Sequence, residues 1–565
     1  MKIPFRKHRW IIWFVVLTLT LNACSAITPG IVVSAENGEG NPIILVTANP
    51  QATRTPFQPS YPTQTPAPTD TLTPSSTPSA TETPLPTATP LPTETPLPTE
   101  TFTPTLPPPP TQLPPTSLPT DVPASTVAAP PDPGQNSSSE RPQYAISVLM
   151  DYAAHQLNVS EIILYPNRTQ QDLPSIALAV NPNLWSGVFN LQAVSVNDQP
   201  SGNYSLNGQW LMVNLDAPLR SGQSLKIGIG YQLNLPYSAG RVENFGYTER
   251  QVNLIDWYPF VPPNINGQWI LPDPFSYGEN LVYEKADFRI SLNFTDPANP
   301  PVVAASAPAS SQDGALVYNL PNARNFTFSI SPDYLFSSAD ANGITIYSYY
   351  FPEDADAAAM VLELTRMAVN TYSLEFGPYP HQTLTACETY LNDGLETDGL
   401  YFLARSFYQS YDGTVRNNLS TIAVHETAHE WWYGAVGNNQ ANEPWLDEAM
   451  ATYSEHIFYE DNYPDLVQWW WNFRIYSIGA TGWVDSRVYD TPGFRAYVSA
   501  VYFDGAEFIQ AIRDRVGDKI FFEFLRDYFA RNNGRIATAD DFFNVFTLHS
   551  NANIDDLIHA YFTHR

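Results

Sequence analysis

The sequence predicts a multidomain α+β protein. It has a disordered Pro/Thr-rich stalk, an antiparallel β-rich amino-terminal domain over residues 142–340 and a mostly helical domain over residues 341–565. Three observations predict this order. Residues 50–140 are dominated by Pro and Thr, the next two hundred or so alternate apolar and polar positions between turn signals, and the period changes to that of helices near Asp354.

Residues 1–23 have the features of a secretion signal peptide. Basic residues precede an apolar run from Trp10 to Leu21, and this run of about twelve residues is shorter than the roughly twenty that a membrane-spanning helix needs. The run ends in Leu21-Asn22-Ala23-Cys24, which resembles a bacterial lipobox with Cys24 as the lipid-bearing residue. We therefore predict an exported lipoprotein, held at the cell surface or the outer face of the membrane by this lipid anchor. The alternative is an ordinary signal peptide followed by a chance cysteine.

Residues 24–141 comprise the anchor cysteine and a linker. The imperfect repeat TPLPTA-TPLPTE-TPLPTE cannot bury a core and favours polyproline II, so we predict a disordered stalk that holds the folded part away from the membrane. Of the two cysteines, Cys24 is predicted to be acylated, which leaves no disulfide, and Cys387 is predicted to be a buried small hydrophobe. The formal net charge of −29 argues against nucleic acid as a partner, because phosphate binding requires Lys and Arg patches.

Short alternating segments predict the strands of the β-rich domain. They are AISVLMDY, SEIILYPN, QWLMVNLD, LKIGIGYQLNL, FRISLNF and FTFSISP. In the following domain, Ala355 to Glu375 predicts a helix that stops at Gly377-Pro378, and Leu384 to Leu391 predicts a strand. The remainder is predicted to be mostly helical.

The motif His425-Glu-Thr-Ala-His429 places two histidines one turn apart on the same face of a helix. Both imidazoles can therefore reach one Zn²⁺ at about 2.0–2.1 Å. Glu426 lies next to the first ligand, where it can hold and deprotonate a zinc-bound water as a general base. The helix is predicted over Thr421 to Tyr433, with Ser420 as its cap and glycines at its end.

A second helix is predicted from Trp445 to Tyr459, with Pro444 at its first position. Glu448 and Glu455 are seven residues apart and point the same way, so Glu448 can be the third zinc ligand while Glu455 orients a ligating imidazole. The predicted cofactor is thus one Zn²⁺ per chain.

The zinc segment resembles the aminopeptidase N-like family of gluzincin peptidases, which includes leukotriene hydrolase. The resemblance implies a thermolysin-like catalytic domain and covers roughly residues 142–565. The segments that carry it are HETAHEWWYG, WLDEAMATYSE, FGPYPHQTLTACET, AYVSAVYFDGAEFI, WYPFVPP and GQWILPDPFSYGENLVYEKADFRISL. The sequence ends at Arg565, about where the catalytic domain of the family ends. We therefore expect a bacterial form of this family without its large helical carboxy-terminal domain.

The resemblance implies roles for further residues. Tyr502 falls in the family's tyrosine segment, where it would donate a hydrogen bond to the developing oxyanion, and Tyr497 matches a second tyrosine of that segment. Asp393-Gly394-Leu395-Glu396-Thr397 falls where the family has Gly-x-Met-Glu-Asn, so Glu396, with Gly394, would bind a substrate's free α-amino group. The first Gly, the Met and the Asn of that pattern are replaced here.

Three interpretations follow from these residues. The first is a membrane-anchored zinc aminopeptidase that hydrolyses peptides outside the cell, and the second is a zinc endopeptidase, which holds if Glu396 does not bind an amine. The third is a catalytically silent peptide-binding or scaffold protein, although the intact ligands and general base argue against it. His456 is predicted to be a surface or packing residue, the cluster Trp469-Trp470-Trp471 is predicted to pack in the core, and His381 shows no ligand spacing.

Overall fold

The computed structural model describes residues 140–238, 245–390 and 392–565. The predicted signal peptide, Cys24 and the Pro/Thr-rich stalk lie outside these described residues. No helix among the described residues combines the length and apolar character that crossing a bilayer requires.

An eight-stranded sheet forms the centre of the amino-terminal domain. Its strands, in spatial order, are Ala309–Gln312, Ala315–Ala323, Ala286–Phe294, Gln143–Asp151, Gln156–Pro166, Ser224–Asn234, Phe189–Val196 and Gln199–Pro200. All the long alternating segments found in the sequence belong to strands, so the β-rich prediction is confirmed. One pairing departs from the antiparallel expectation: Gln143–Asp151 runs parallel to Ala286–Phe294. These strands are far apart in sequence, and no hairpin turn fixes their relative direction.

Smaller sheets complete this domain. They are a four-stranded sheet of Val302–Ala305, Phe328–Ser331, Val252–Leu254 and Gly246–Tyr247, a three-stranded sheet of Leu173–Ala179, Trp210–Leu219 and Tyr204–Asn207, and a hairpin of Asn264–Ile265 and Gln268–Trp269. The apolar faces of these sheets enclose one core, in which Trp257, Tyr258 and Phe328 are almost fully buried.

A five-stranded sheet opens the second domain and ends in the strand that carries Glu396. Its order is Leu335–Ala341, Ile344–Tyr350, Thr383–Thr389, Leu400–Ala404 and Leu395–Thr397. The predicted strand at Leu384 is confirmed, although it ends at Thr389. Cys387 on this strand is fully buried, and burial raises the pKa of its thiol to about 12, which agrees with an inert packing role.

Helices make up most of the remainder. The α-helices are Ala355–Glu375, Arg405–Gln409, Asn418–Ala428, Trp445–Asn462, Val467–Trp470, Phe494–Val498, Gly505–Val516, Asp518–Asn532, Ala539–His549 and Asp555–Tyr561, and π-helical turns span Glu430–Ala435, Trp471–Ile475 and Ser499–Asp504. The helix predicted from Ala355 has the predicted bounds. The two central helices Asn418–Ala428 and Trp445–Asn462 are buried along nearly their whole length.

The helix that carries the histidine motif differs from its prediction at both ends. Its cap is Asn417, whose Oδ1 accepts a hydrogen bond from the Ser420 amide at 3.0 Å, so the prediction of Ser420 as the cap was wrong. Past His429 the chain widens into a π-helical turn, in which the Gly434 amide donates to the His429 carbonyl at 2.7 Å. Two aromatic residues, Trp432 and Tyr433, leave helical geometry there.

Arg324 of the β-rich domain closes this widened turn. Its guanidinium donates to the carbonyls of Tyr433, Gly434 and Ala435 at 2.5, 2.9 and 3.0 Å, and to those of Tyr283 and Arg535, both at 2.8 Å. The side chain is buried, and the planar five-donor guanidinium matches carbonyls that the helix end leaves without partners. This one residue therefore joins the two domains directly behind the histidine motif.

We predict that Arg324→Met destabilises the full chain by about 3 kcal/mol or more, because five backbone carbonyls lose a buried, charged hydrogen-bond donor. Urea unfolding followed by tryptophan fluorescence measures the change as a lower midpoint. Arg531→Met is the matched control, since Arg531 is exposed and pairs only with Asp527 on its own helix, so a shift of about 0.5 kcal/mol or less is expected. Equal midpoints for the two variants would contradict the bridging role.

Candidate metal centre

Three buried side chains converge at the motif helix: His425, His429 and Glu448. The two Nε2 atoms are 3.0 Å apart, and Glu448 Oε2 lies 3.4 Å from that of His425 and 3.6 Å from that of His429. Ligand atoms at about 2.0–2.1 Å from a tetrahedral ion lie roughly 3.3 Å from one another. The three atoms therefore have the spacing of a zinc site before any ion is considered.

Each imidazole is oriented through its other ring nitrogen. His425 Nδ1 lies 2.9 Å from Glu455 Oε1, and His429 Nδ1 lies 2.6 Å from Asp447 Oδ1. These contacts direct both Nε2 atoms towards Glu448, whose Oε2 is buried without a hydrogen-bond partner among the described residues. Two nitrogen donors facing a bare buried carboxylate oxygen are a donor set that fits Zn²⁺.

The structure places Glu455 where the sequence predicted it and adds Asp447, which the sequence analysis missed. Burial acts to raise the pKa of Glu455, but the Arg474 guanidinium, 2.8 Å away, and the bond to His425 hold it below its usual value. Glu455 is thus a fixed anion behind the first histidine. Asp447 immediately precedes Glu448 on its helix, and this adjacency is the only sequence signal that could have identified it.

Glu426 lies beside the ligands and is packed against a glycine. Its Oε2 is buried without a hydrogen-bond partner among the described residues, and its Oε1 lies over Gly394. A β-carbon at Gly394 would come within 2.1 Å of Glu426 Oε1 and 2.7 Å of the Ile422 side chain. Any larger residue there would push Glu426 aside, which gives Gly394 a steric role in the site.

The two predicted tyrosines lie on the same side of the ligand set. Tyr502 donates to Glu448 Oε1 at 2.5 Å, and its ring is parallel to the His425 imidazole with centroids 6.0 Å apart. Tyr497 packs edge-on against Tyr502, with ring centroids 5.7 Å apart. Its buried hydroxyl has no hydrogen-bond partner among the described residues. Tyr502 therefore contacts the metal ligand Glu448 directly, whereas Tyr497 packs against the ring of Tyr502.

A cavity of about 510 Å³ lies beside the metal ligands, between the two domains. Glu396 lies in its wall, is 7% exposed, and accepts a hydrogen bond from Gln440 Nε2 at 2.9 Å; the same nitrogen donates to Asp447 at 2.9 Å. Glu279 of the β-rich domain is a second carboxyl group in this wall, and sequence reasoning missed it. Burial and the negative charge of Asp447 raise its pKa, while His429 lowers it, which places Glu279 in the electrostatic field of the ligand set.

A buried charge cluster fixes the segment that follows Glu396. Asp398 accepts from Lys285 Nζ at 2.8 Å and from the Arg324 amide at 2.7 Å, and it contacts His381 Nε2 at 2.5 Å. The next amide, Gly399, donates to the Glu430 carboxylate at 3.1 Å. His381 therefore has a structural partner that its position in the sequence did not reveal.

The remaining predicted residues pack as expected. His456 is buried against Trp470 and Trp471, with ring centroids 5.4 and 5.2 Å apart. Trp470 is fully buried and donates to Glu455 at 3.0 Å, while Trp469 stacks on Phe473. The three tryptophans thus form no common binding platform, as predicted.

Comparisons with known proteins agree with this geometry. Residues 357–561 match the sequence model of the "Peptidase family M1 domain". Among curated proteins, Aminopeptidase M1-D of Oryza sativa subsp. japonica is 19% identical over 37% of this chain and 25% of its own length. Aminopeptidase N of Lactobacillus delbrueckii subsp. lactis is 24% identical over 25% of this chain and 18% of its own. The chain thus aligns with a quarter or less of these relatives.

The fold is also shared with solved structures. An M1 zinc metallopeptidase from Deinococcus radiodurans has a TM-score of 0.53 and 17% identity, over 75% of this chain and 94% of that one. A mutant of that enzyme bound to a Tyr-Ser-Ala substrate has a TM-score of 0.53 and 16% identity, over 74% and 94% of the two chains. Both sequence identities are low, so this likeness concerns the fold.

We predict that Asp447→Asn weakens zinc binding by about 10- to 100-fold, because the amide is a poorer acceptor for the His429 Nδ1–H and no longer fixes the ring. Competition with a chromophoric chelator on the full chain measures the affinity. Asp465→Asn, an exposed Asp→Asn change on the loop after the Glu448 helix, is the matched control and should leave it unchanged. Unaltered affinity in the Asp447 variant, with normal thermal unfolding, would refute the orienting role.

Proposed function

We propose that this chain, whose residues 357–561 form a peptidase family M1 domain, is a zinc aminopeptidase that removes residues from the free amino terminus of peptides. The resemblance to the aminopeptidase N-like family stated from the sequence is confirmed for this domain. One observation carries the finer proposal: the wall of a cavity holds two carboxyl groups from different domains, Glu396 and Glu279, and a carboxylate oxygen of Glu396 lies within 4.8 Å of a ring nitrogen of the metal ligand His429.

Two buried carboxyl groups beside a metal centre favour a free amino terminus over the middle of a chain. A protonated α-amino group supplies the positive charge that Glu396 and Glu279 lack, through charge-assisted hydrogen bonds. A mid-chain peptide amide brings no charge and would leave both groups buried without compensation, which is costly. By binding the α-amino group, Glu396 and Glu279 would therefore position the first peptide bond of the substrate at the metal ligands.

A Zn²⁺ held by His425, His429 and Glu448 would polarise the scissile carbonyl and lower the pKa of water from about 15.7 towards about 7. Glu426 then serves as the proton carrier, since a carboxylate oxygen of Glu426 lies within 4.8 Å of a ring nitrogen of His429 and its Oε2 has no competing hydrogen bond among the described residues. It takes a proton from the attacking water and returns it to the leaving amine. Tyr502, whose hydroxyl donates to Glu448 without a substrate, would turn its single O–H to the developing oxyanion.

The similar proteins support a peptide substrate. The two curated relatives described above are named aminopeptidases, and a mutant of the Deinococcus radiodurans M1 zinc metallopeptidase has been solved with Tyr-Ser-Ala. Mutants of a two-domain M1 zinc metallopeptidase have been solved with L-tryptophan and L-arginine. A tripeptide and free amino acids are ligands with an unblocked α-amino group. These ligands have the feature that the Glu396 and Glu279 pair is proposed to recognise.

We further propose that the enzyme acts outside the cytoplasm, anchored through a lipid on Cys24. The support is the sequence of residues 1–24 and the Pro/Thr-rich segment that follows. We expect metabolic labelling with a palmitate analogue to mark the full chain in a bacterial host and Cys24→Ser to abolish the label. Cys387→Ser is the matched control, and equal labelling of wild type and the Cys24 variant would dismiss the anchor.

The decisive test of the reaction uses the full chain loaded with zinc. We predict release of amino-terminal residues from a peptide pool, a loss of about 10²–10⁴-fold in Glu426→Gln, and no reaction with the same peptides after amino-terminal acetylation. Mass spectrometry of the products follows the release. Glu523→Gln, an exposed change, is the matched control, and metal analysis should find one zinc in every variant.

The outcomes separate the alternatives. Internal cleavage of acetylated peptides would replace the aminopeptidase by an endopeptidase. A wild-type chain that holds one zinc and releases nothing from any peptide would leave only a binding role.

A further inference from the structure

The wall of the cavity beside the metal ligands contains one more carboxyl group than the two proposed to bind the substrate's α-amino group. Besides Glu279 and Glu396, a third carboxyl group, Asp256, lies in its wall. No Lys, Arg or His occurs among the described residues that line the cavity. The walls thus hold three carboxyl groups and, within the described part of the chain, no cation to balance them.

Asp256 is held by different residues from those that hold Glu396. Glu396 is linked to the metal centre through Gln440 and Asp447. Asp256 instead accepts a hydrogen bond from the Tyr283 hydroxyl, and the Tyr283 ring packs on Phe260 in the core of the β-rich domain, with centroids 4.3 Å apart. The third carboxyl group is therefore held by the β-rich domain and not by the ligand set.

Tyr433 lines the same cavity as the two acidic groups. Its hydroxyl accepts a hydrogen bond from Asn325 Nδ2 at 2.8 Å, and its ring is part of the cavity wall. After burial, the charges of Asp256 and Glu396 are the main causes that raise the pKa of Tyr433. Both carboxyl groups thus lie within electrostatic range of one phenol, and a ligand that reaches Glu396 can extend past Tyr433 towards Asp256.

The wall between these points is apolar and aromatic. Trp185, Phe245, Tyr277 and Leu281 contribute to it. A long aliphatic stem gains burial against such a wall, and a cation at its end gains from aromatic faces and from a carboxylate. An uncharged apolar side chain would pack against the same wall but would leave the Asp256 carboxyl group without a counter-charge, which costs binding free energy.

Burial raises the pKa of Asp256 to about 6, and the hydrogen bond from Tyr283 opposes that shift. The group is thus mostly ionised at pH 7, although its surroundings disfavour the charge. A positive ligand group next to it would relieve that cost.

We propose that this cavity receives the side chain of the amino-terminal residue and selects lysine or arginine through Asp256. The selection rests on the proposed aminopeptidase function. The α-amino group binds Glu396 and Glu279, the aliphatic stem lies along the aromatic wall, and the terminal cation pairs with Asp256.

The test compares two substrates that differ only in the charge. Lysyl and norleucyl aminomethylcoumarin amides have the same four-carbon stem, and an alanyl amide reports activity without filling the cavity. With the zinc-loaded full chain, we expect kcat/KM for the lysyl amide to exceed that for the norleucyl amide by at least about tenfold. In Asp256→Asn this ratio should fall by about tenfold or more, and hydrolysis of the alanyl amide shows that the variant is still active.

Asp256 can be replaced by Asn without a change of backbone conformation, and a second aspartate serves as the matched control. Asp256 has a φ of 51°, a left-handed conformation that Asn adopts readily, so Asp256→Asn preserves the backbone. Asp273→Asn is the control, because Asp273 is exposed and lies outside the lining of this cavity. It should leave the lysyl-to-norleucyl ratio unchanged.

Each result has one meaning. A wild-type preference for norleucyl or phenylalanyl over lysyl amides would overturn the proposed selection while leaving the aminopeptidase intact. A lysyl preference that survives in Asp256→Asn would overturn the role of Asp256. Absence of hydrolysis for all substrates, the alanyl amide included, would instead refute the proposed function itself.

Discussion

Negative charge buried around two imidazoles is the constraint on which the rest of the site depends. Apart from Glu455, which pairs with Arg474, five carboxyl groups lie close to His425 and His429: Glu279, Glu396, Glu426, Asp447 and Glu448. Burial is the main cause that raises the pKa of Glu279 and Glu448; their neighbouring carboxyl groups raise it further and His429 lowers it. A divalent cation at the ligands and an ammonium group at the cavity wall would supply positive charge to these groups. The metal binding and the amine recognition proposed above would therefore both reduce the same excess of buried carboxyl groups.

The site belongs to both domains, although the family match covers only residues 357–561. The β-rich domain contributes Glu279 to the cavity, Lys285 to the charge cluster at Asp398, and Arg324 to the turn behind the histidine motif. Lys285 and Arg324 bring positive charge to a carboxylate and to backbone carbonyls of the catalytic domain that are buried there, whereas Glu279 adds a carboxyl group to the cavity. The β-rich domain is thus part of the catalytic framework, since its removal would expose or unbalance each of these groups.

The parts of the site that follow local periodicity could be predicted from the sequence. The ligands His425, His429 and Glu448, and Glu455 behind them, depend on helical spacing within two short segments, and the helix at Ala355 depends on a clear apolar period. Asp447, Glu279 and Asp256 could not be found in this way, because their role arises from contacts between distant segments. The same holds for the parallel pairing of Gln143–Asp151, whose alternation is the same for either strand direction.

The segment around Glu396 shows how a departure from the family pattern can be offset by tertiary contacts. The Asn of that pattern is Thr397 here, and its hydroxyl donates to the Leu400 carbonyl across a tight hairpin. The following residue, Asp398, receives the Lys285 ammonium and the Arg324 amide, and its own amide donates to Asn325 at 2.9 Å.

These bonds fix the backbone on the carboxyl side of Glu396 from three directions, all supplied by the β-rich domain. The polar contact that the missing Asn would make within the segment is thus replaced by contacts from outside it. Glu396 consequently keeps its place at the cavity wall although its neighbours have changed, and its geometry depends on how the two domains pack.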